Sequence, residues 1–187
     1  MEIKITYRRT NRLSMRVVNN GDLHISAPHL TPRCAIDQFI RDNEAWIKAA
    51  MRRQIDYNNQ RARFYGQLPL GTREQVQAAY IRIDAMIQPM LRKYTALMGV
   101  RPSRIVYKPT VSRWGACNKR TGEINFSLYL LLLPEWCVEH VVVHELAHLI
   151  EANHGPKFHA LLDRFYPRWK EARKATREAV RGGMPAV

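Results

Sequence analysis

No two cysteines in this sequence stand close enough to suggest a shared role. The three present, Cys34, Cys117 and Cys137, are odd in number, widely spaced and without a CxxC pair. That excludes a disulfide framework and a zinc ribbon, and predicts reduced thiols that pack as small apolar residues. Long apolar runs are missing too. The longest, Leu128 to Leu133, is interrupted by Tyr129 and ends at Pro134, far short of the ~20 residues that span a bilayer. The N-terminal MEIKITYRRT alternates polar and apolar residues and has no signal-peptide core. The expectation is a protein with no membrane partner, located in the cytoplasm. Internal repeats and low-complexity tracts are absent. Acidic residues are scarce: 16 Asp and Glu stand against 30 Lys and Arg, a net charge of +14 over 187 residues. Such a surface attracts nucleic acid and other polyanions, without by itself establishing a partner.

The apolar pattern gives the organisation. Ile3, Ile5 and Tyr7, then Leu13, Met15 and Val17, then Leu23 and Ile25 alternate with polar residues, and Asn19-Asn20-Gly21-Asp22 supplies a turn. This predicts a three-stranded antiparallel meander. From about Arg33 to Arg63 the period becomes helical, with Ile36, Phe39, Ile40, Trp46, Ile47 and Met51 on one face. Phe64 to Gly71 reads as a loop, and Arg73 to Met98 as a long helix with Pro89 inside it and Gly99 as its stop. Strands follow at Arg104–Lys108 and Glu123–Ser127. Pro134 opens a helix that runs to about Ile150, and two more helices cover 156–165 and 167–181. The predicted class is α+β: a small antiparallel sheet on an active-site helix, with additional long helices. The predicted parts are a meander plus helix over 1–63 and a metallohydrolase domain over 73–187, forming one compact unit.

The segment that carries chemistry is HELAHLIEANHGPKFH, residues 144–159. His144 and His148, four apart on a helix, share a face, so both imidazoles reach one ion. Glu145 stands one residue round the helix, where a carboxylate can take a proton from water activated by zinc. A catalytic zinc keeps three protein ligands, and His154 is the natural third, with Asn153 suited to a left-handed turn that brings it back. His159 and Asp163 are the alternative third ligands. His140, one helical turn before His144, reads as a supporting or surface residue. His24 and His29 have no partners in sequence.

The stretches SRWGACNKRTGEINFSLYLLLLP, VVVHELAHL and NHGPKFH resemble the YgjP-like metallopeptidase family and, more distantly, the SprT-like zinc proteases. The likeness extends to RRTNRLSMRVVNNGDLHISAP and DNEAWIKAAM and so covers nearly the whole chain. It implies one zinc per chain on His144, His148 and His154, with Glu145 as general base. It also places Arg113, Trp114, Gly115 and Asn125 on the strand region flanking the cleft. Ala116 stands where the family more often has Ser, and His159 where it more often has a large aromatic.

The leading expectation is a zinc metallopeptidase acting on extended polypeptide, whose backbone pairs with an edge strand at Glu123–Ser127. The oxyanion donor is to be sought among Arg113, Tyr166 and His159. A metal-dependent nucleoside triphosphate pyrophosphatase is the alternative enzyme. A nucleic-acid-binding protein with a structural zinc is the alternative from another class. On the last helix Lys170, Arg173, Lys174, Arg177 and Arg181 recur at spacings of three and four, a basic stripe that would serve polyanions or simply face solvent.

Overall fold

The computed structural model describes residues 2–18 and 21–182; Asn19 and Asn20 of the expected turn lie outside them. The chain divides into two compact units, 1–62 and 63–187.

In the first unit, strands β1 (Ile3–Arg8), β2 (Ser14–Val17) and β3 (Leu23–Pro28) form a sheet of order β1-β3-β2. β3 runs parallel to β1 and antiparallel to β2, so the expected antiparallel meander is corrected to a mixed sheet. The reason is burial. Leu23, Ile25 and Ala27 of β3 are fully covered, whereas β1 and β2 carry exposed or half-exposed residues, so β3 takes the centre.

The single helix expected over 33–63 is two, α1 (Arg33–Asp42) and α2 (Glu44–Gly66). Asn43 breaks it, because its side-chain amide donates to the Phe39 carbonyl at 2.8 Å and competes with the helical ladder. Ile36 and Ile47 join β3 in a small core. α2 outruns its predicted end because Phe64 is buried in the core of the second unit.

In the second unit the end of α2 is followed by α3 (Arg73–Met98). Thr72 and Gln75 form a reciprocal capping box, and Gly99 closes the helix at φ 65°. Strands β4 (Arg104–Lys108), β5 (Gly115–Asn118) and β6 (Glu123–Ser127) follow in the order β4-β6-β5. β6 pairs in parallel with β4 and antiparallel with β5. It is therefore central, and the expectation that Glu123–Ser127 forms an edge is overturned: both its sides are already paired. The edge beside the metal motif belongs to β5, which sequence periodicity missed.

After a 3-10 turn (Leu128–Leu132), α4 (Glu135–Ile150) packs against α3, β5, α5 (Pro156–Phe165) and α6 (Trp169–Val180). Enclosure on every side explains why α4 is apolar nearly all round. The buried polar residues of α4, His140 and Glu145, are desolvated and must be justified by a partner or by chemistry. Cys137 is fully buried and Cys117, partly buried, packs against the same core, but Cys34 is exposed, so two of the three cysteines pack as expected. No helix among the described residues is long and apolar enough to cross a membrane. The α+β class stands, with both sheets mixed.

Candidate metal centre

His144 and His148 lie one turn apart on α4, and their ring centroids are 4.9 Å apart. α4 stops at Ile150, where Glu151 turns extended at φ −126° and ψ 118°. The four residues that follow bring His154 back over the helix. No residue other than glycine adopts a positive φ among those described, so the left-handed Asn153 foreseen for this turn is not used. His154 Nε2 then stands 3.1 Å from His144 Nε2, and one nitrogen from each of the three histidines lies within 4.8 Å of the others.

Phe158 of α5 is the floor of this cluster. Fully buried, it meets the rings of His144, His148 and His154 at centroid distances of 4.9, 4.6 and 4.7 Å. It presses the three imidazoles toward one another without offering them a competing polar group.

The protonation states suit a cation. Burial holds the His144 imidazole down to about 3, helped by His148, His140, His154 and Arg173. Burial also lowers His148, against the Glu151 carbonyl, which favours its charged form. His148 Nδ1 is 3.2 Å from that carbonyl. Donation there fixes the proton on Nδ1 and leaves the Nε2 lone pair for the cluster. His144 and His148, held toward their neutral form, converge with His154 as the donor set of a zinc-type site; the residues fit a metal ion.

Glu145 is 5% exposed. Burial pushes its carboxyl up to about 8, against the opposing influence of the Arg113 guanidinium and the Cys117 backbone N–H. β5 makes room for it with a glycine. A Cβ at Gly115 would sit 2.6 Å from Glu145 Cγ and Oε1 and 2.8 Å from Cδ. Gly115 is thus the steric complement of Glu145, a role that spacing alone did not reveal.

A cavity of about 570 Å3 opens beside the cluster. His144, Glu145 and His154 line it with Arg113, Phe158, Leu162, Trp169 and Arg173. Arg113 also lines the two neighbouring hollows, one toward Cys117 and Lys119, the other toward Lys108 and Asn125. Trp114 lines the main cavity and the second of these. Asn125 reaches only the second, and its side-chain oxygen is buried without a partner.

The other expected residues fall differently. His159 lines the main cavity with its ring stacked flat on Trp169, at 5.2 Å and 5°, outside the three-histidine cluster. Asp163 accepts a bond from Trp169 Nε1 at 2.7 Å. Tyr166 lines none of these cavities: its hydroxyl donates to the Trp136 carbonyl at 2.6 Å, and burial pushes its pKa up to about 12. It is corrected from a cleft residue to a tie between α4 and the turn after α5. His140 is buried at 6% exposure, with Nδ1 unpartnered. Arg173, read from sequence as one of an outer stripe, lines the cavity.

A family model described as YgjP-like, metallopeptidase domain, matches residues 68–179. Two solved structures are similar to the chain. The metallopeptidase zymogen abylysin of Pyrococcus abyssi is 24% identical, with a TM-score of 0.44 over 49% of this chain and 93% of its own. The metallopeptidase zymogen jannalysin of Methanocaldococcus jannaschii is 19% identical, with a TM-score of 0.45 over 49% of this chain and 94% of its own. No curated protein matches. The family match covers more than half of the chain and contains every residue of the centre just described: the chain belongs to the YgjP-like metallopeptidase family.

Proposed function

We propose that the chain is a zinc-dependent peptidase in which His144, His148 and His154 hold one zinc and Glu145 carries the proton. The observation behind this reading is a three-imidazole cluster beside a buried carboxyl that a glycine of the adjacent strand accommodates. When bound, zinc supplies Lewis acidity that polarises a carbonyl and makes water a competent nucleophile near neutral pH.

The protein's own groups supply the rest. Glu145, with its proton affinity raised by burial, accepts the proton of the attacking water and returns it to the leaving amine nitrogen. A proton affinity near the working pH serves both transfers. A divalent cation held by the three histidines would add to the Arg113 charge and favour the ionised, accepting form of this carboxyl. Arg113, which lines the three hollows described above, is the residue we assign to stabilising the oxygen that becomes negative. An extended substrate backbone finds its pairing edge at β5, the outer strand of its sheet.

The test is a cleavage screen of zinc-loaded protein on unfolded polypeptides and, in parallel, on nucleoside triphosphates, with Glu145→Gln as partner. The expected result is polypeptide cleavage that drops at least ~100-fold in Glu145→Gln at unchanged zinc content. Intact polypeptides together with pyrophosphate release that depends on Glu145 would transfer the site to nucleotide hydrolysis.

A further inference from the structure

Four cations surround the cleft: Arg113, Arg173, Lys119 and Lys108. Apart from Glu145 at the centre, no carboxylate lines any of the three hollows. Arg173 and Arg113 reach the main cavity from different elements, α6 and the segment ahead of β5. Arg173 has no ion-pair partner among the described residues. Lys174, the next residue of α6, pairs with Glu178 at 3.8 Å.

Beside the two guanidiniums the cavity is lined by apolar side chains, Val141, Phe158, Leu162 and Trp169. A buried imidazole, His140, interrupts this lining and leaves Nδ1 unpartnered. An apolar lining that includes a few cationic and polar groups is complementary to a side chain with a methylene stem and an anionic head. A lysine or arginine in the same place meets like charge from Arg113 and Arg173, both of them exposed.

We propose that this cavity is a specificity pocket for an acidic side chain of the substrate, whose carboxylate is received by Arg173 and Arg113. The inference rests on the peptidase reading. It differs from a general attraction to polyanions in naming one pocket and one residue, Arg173, that sets the preference.

The test uses the full, zinc-loaded chain and peptide pairs that differ only in Glu or Lys at one position flanking the cleaved bond. At one of those positions the glutamate peptide should be favoured roughly tenfold in kcat/KM, the effect of charge complementarity in a confined cleft. Arg173→Glu should bring that ratio to one or below. Arg177→Glu, an equal change of charge one turn further along α6, should leave the ratio as it was. Anisotropy of labelled acidic and lysine peptides on zinc-loaded Glu145→Gln measures the same preference as affinity, independent of turnover. If no polypeptide is cleaved, the peptidase reading fails by itself and the affinity comparison still decides the pocket. Equal affinities, or a ratio that Arg173→Glu does not move, overturn the proposal. So does displacement of the acidic peptide by a nucleoside triphosphate that the wild type then hydrolyses.

Discussion

Gly115→Ala is the most searching perturbation of the centre, because it changes no ligand, no charge and no hydrogen-bonding side chain. The added Cβ would lie 2.6 Å from Glu145 Cγ and Oε1, against roughly 3.5–4.0 Å for an ordinary contact between carbons. About 1 Å of movement is required. Glu145 has little freedom to yield: it is 5% exposed, its Cγ is mid-chain, and its carboxyl interacts with the Cys117 N–H and Arg113. Displacing a reacting group by about 1 Å costs on the order of 100-fold in rate. Overpacking of this size costs roughly 1–3 kcal/mol of stability, which a well-packed unit survives. The assay is kcat on a quenched peptide, with zinc content and thermal midpoint measured on the same preparation. Gly115→Ala should hold zinc and fold, yet fall about 100-fold. Added to Glu145→Gln it should cost little more, since both changes act on one group. Near-normal turnover at full zinc occupancy would refute the steric argument.

His144→Ala, His148→Ala and His154→Ala should each strip most of a single zinc per chain while His159→Ala retains it; metal analysis showing full zinc in His154→Ala would overturn the ligand set. Phe158→Ala should destabilise the second unit by ~3–5 kcal/mol, as for a large buried aromatic, and loosen zinc as well; denaturant unfolding with and without chelator checks both, and loss of zinc affinity with unchanged stability would be the wrong outcome. Glu139 is pushed up by burial but pulled lower overall by bonds from Lys93 and Tyr94, each 2.8 Å long. A carboxyl whose folded pKa lies below its ordinary 4.5 contributes stability that is complete above that value and is lost as pH falls through the folded one. Glu139→Gln should therefore flatten the acid limb of a Tm-against-pH curve, and an unchanged limb would show that the pair contributes nothing.

Much of the centre was legible because HExxH is a local constraint. Helical spacing alone puts His144 and His148 on one face and Glu145 beside them, whatever the rest of the chain does. His154 was readable as the next histidine after a helix end, although the turn uses extended backbone at Glu151 in place of a left-handed Asn153. What could not be read is contact between distant segments. Nothing in the spacing says that Gly115 must face Glu145, that Phe158 underlies all three imidazoles, or that Tyr166 turns away to the Trp136 carbonyl. Arg173 shows the limit most clearly: an i, i+3, i+4 stripe gives its angle on α6, but only the packing of α6 on α4 brings that angle to the cavity.

The errors in the fold share a different cause. Alternation identifies strands but not neighbours: chain order implies a meander of β1, β2 and β3, whereas the fully buried Leu23, Ile25 and Ala27 belong to a β3 that lies between the others. β6 is likewise central in the second sheet: Ile124 and Phe126 are fully buried, and its backbone is paired on both sides, with β4 and with β5. β5 escaped notice because a four-residue strand beginning with glycine has almost no periodicity to detect. Yet the glycine that hides the strand is also what lets it pass close against Glu145. A bulkier residue at position 115 would have made β5 easier to find in the sequence and would have occupied the space that the carboxyl needs.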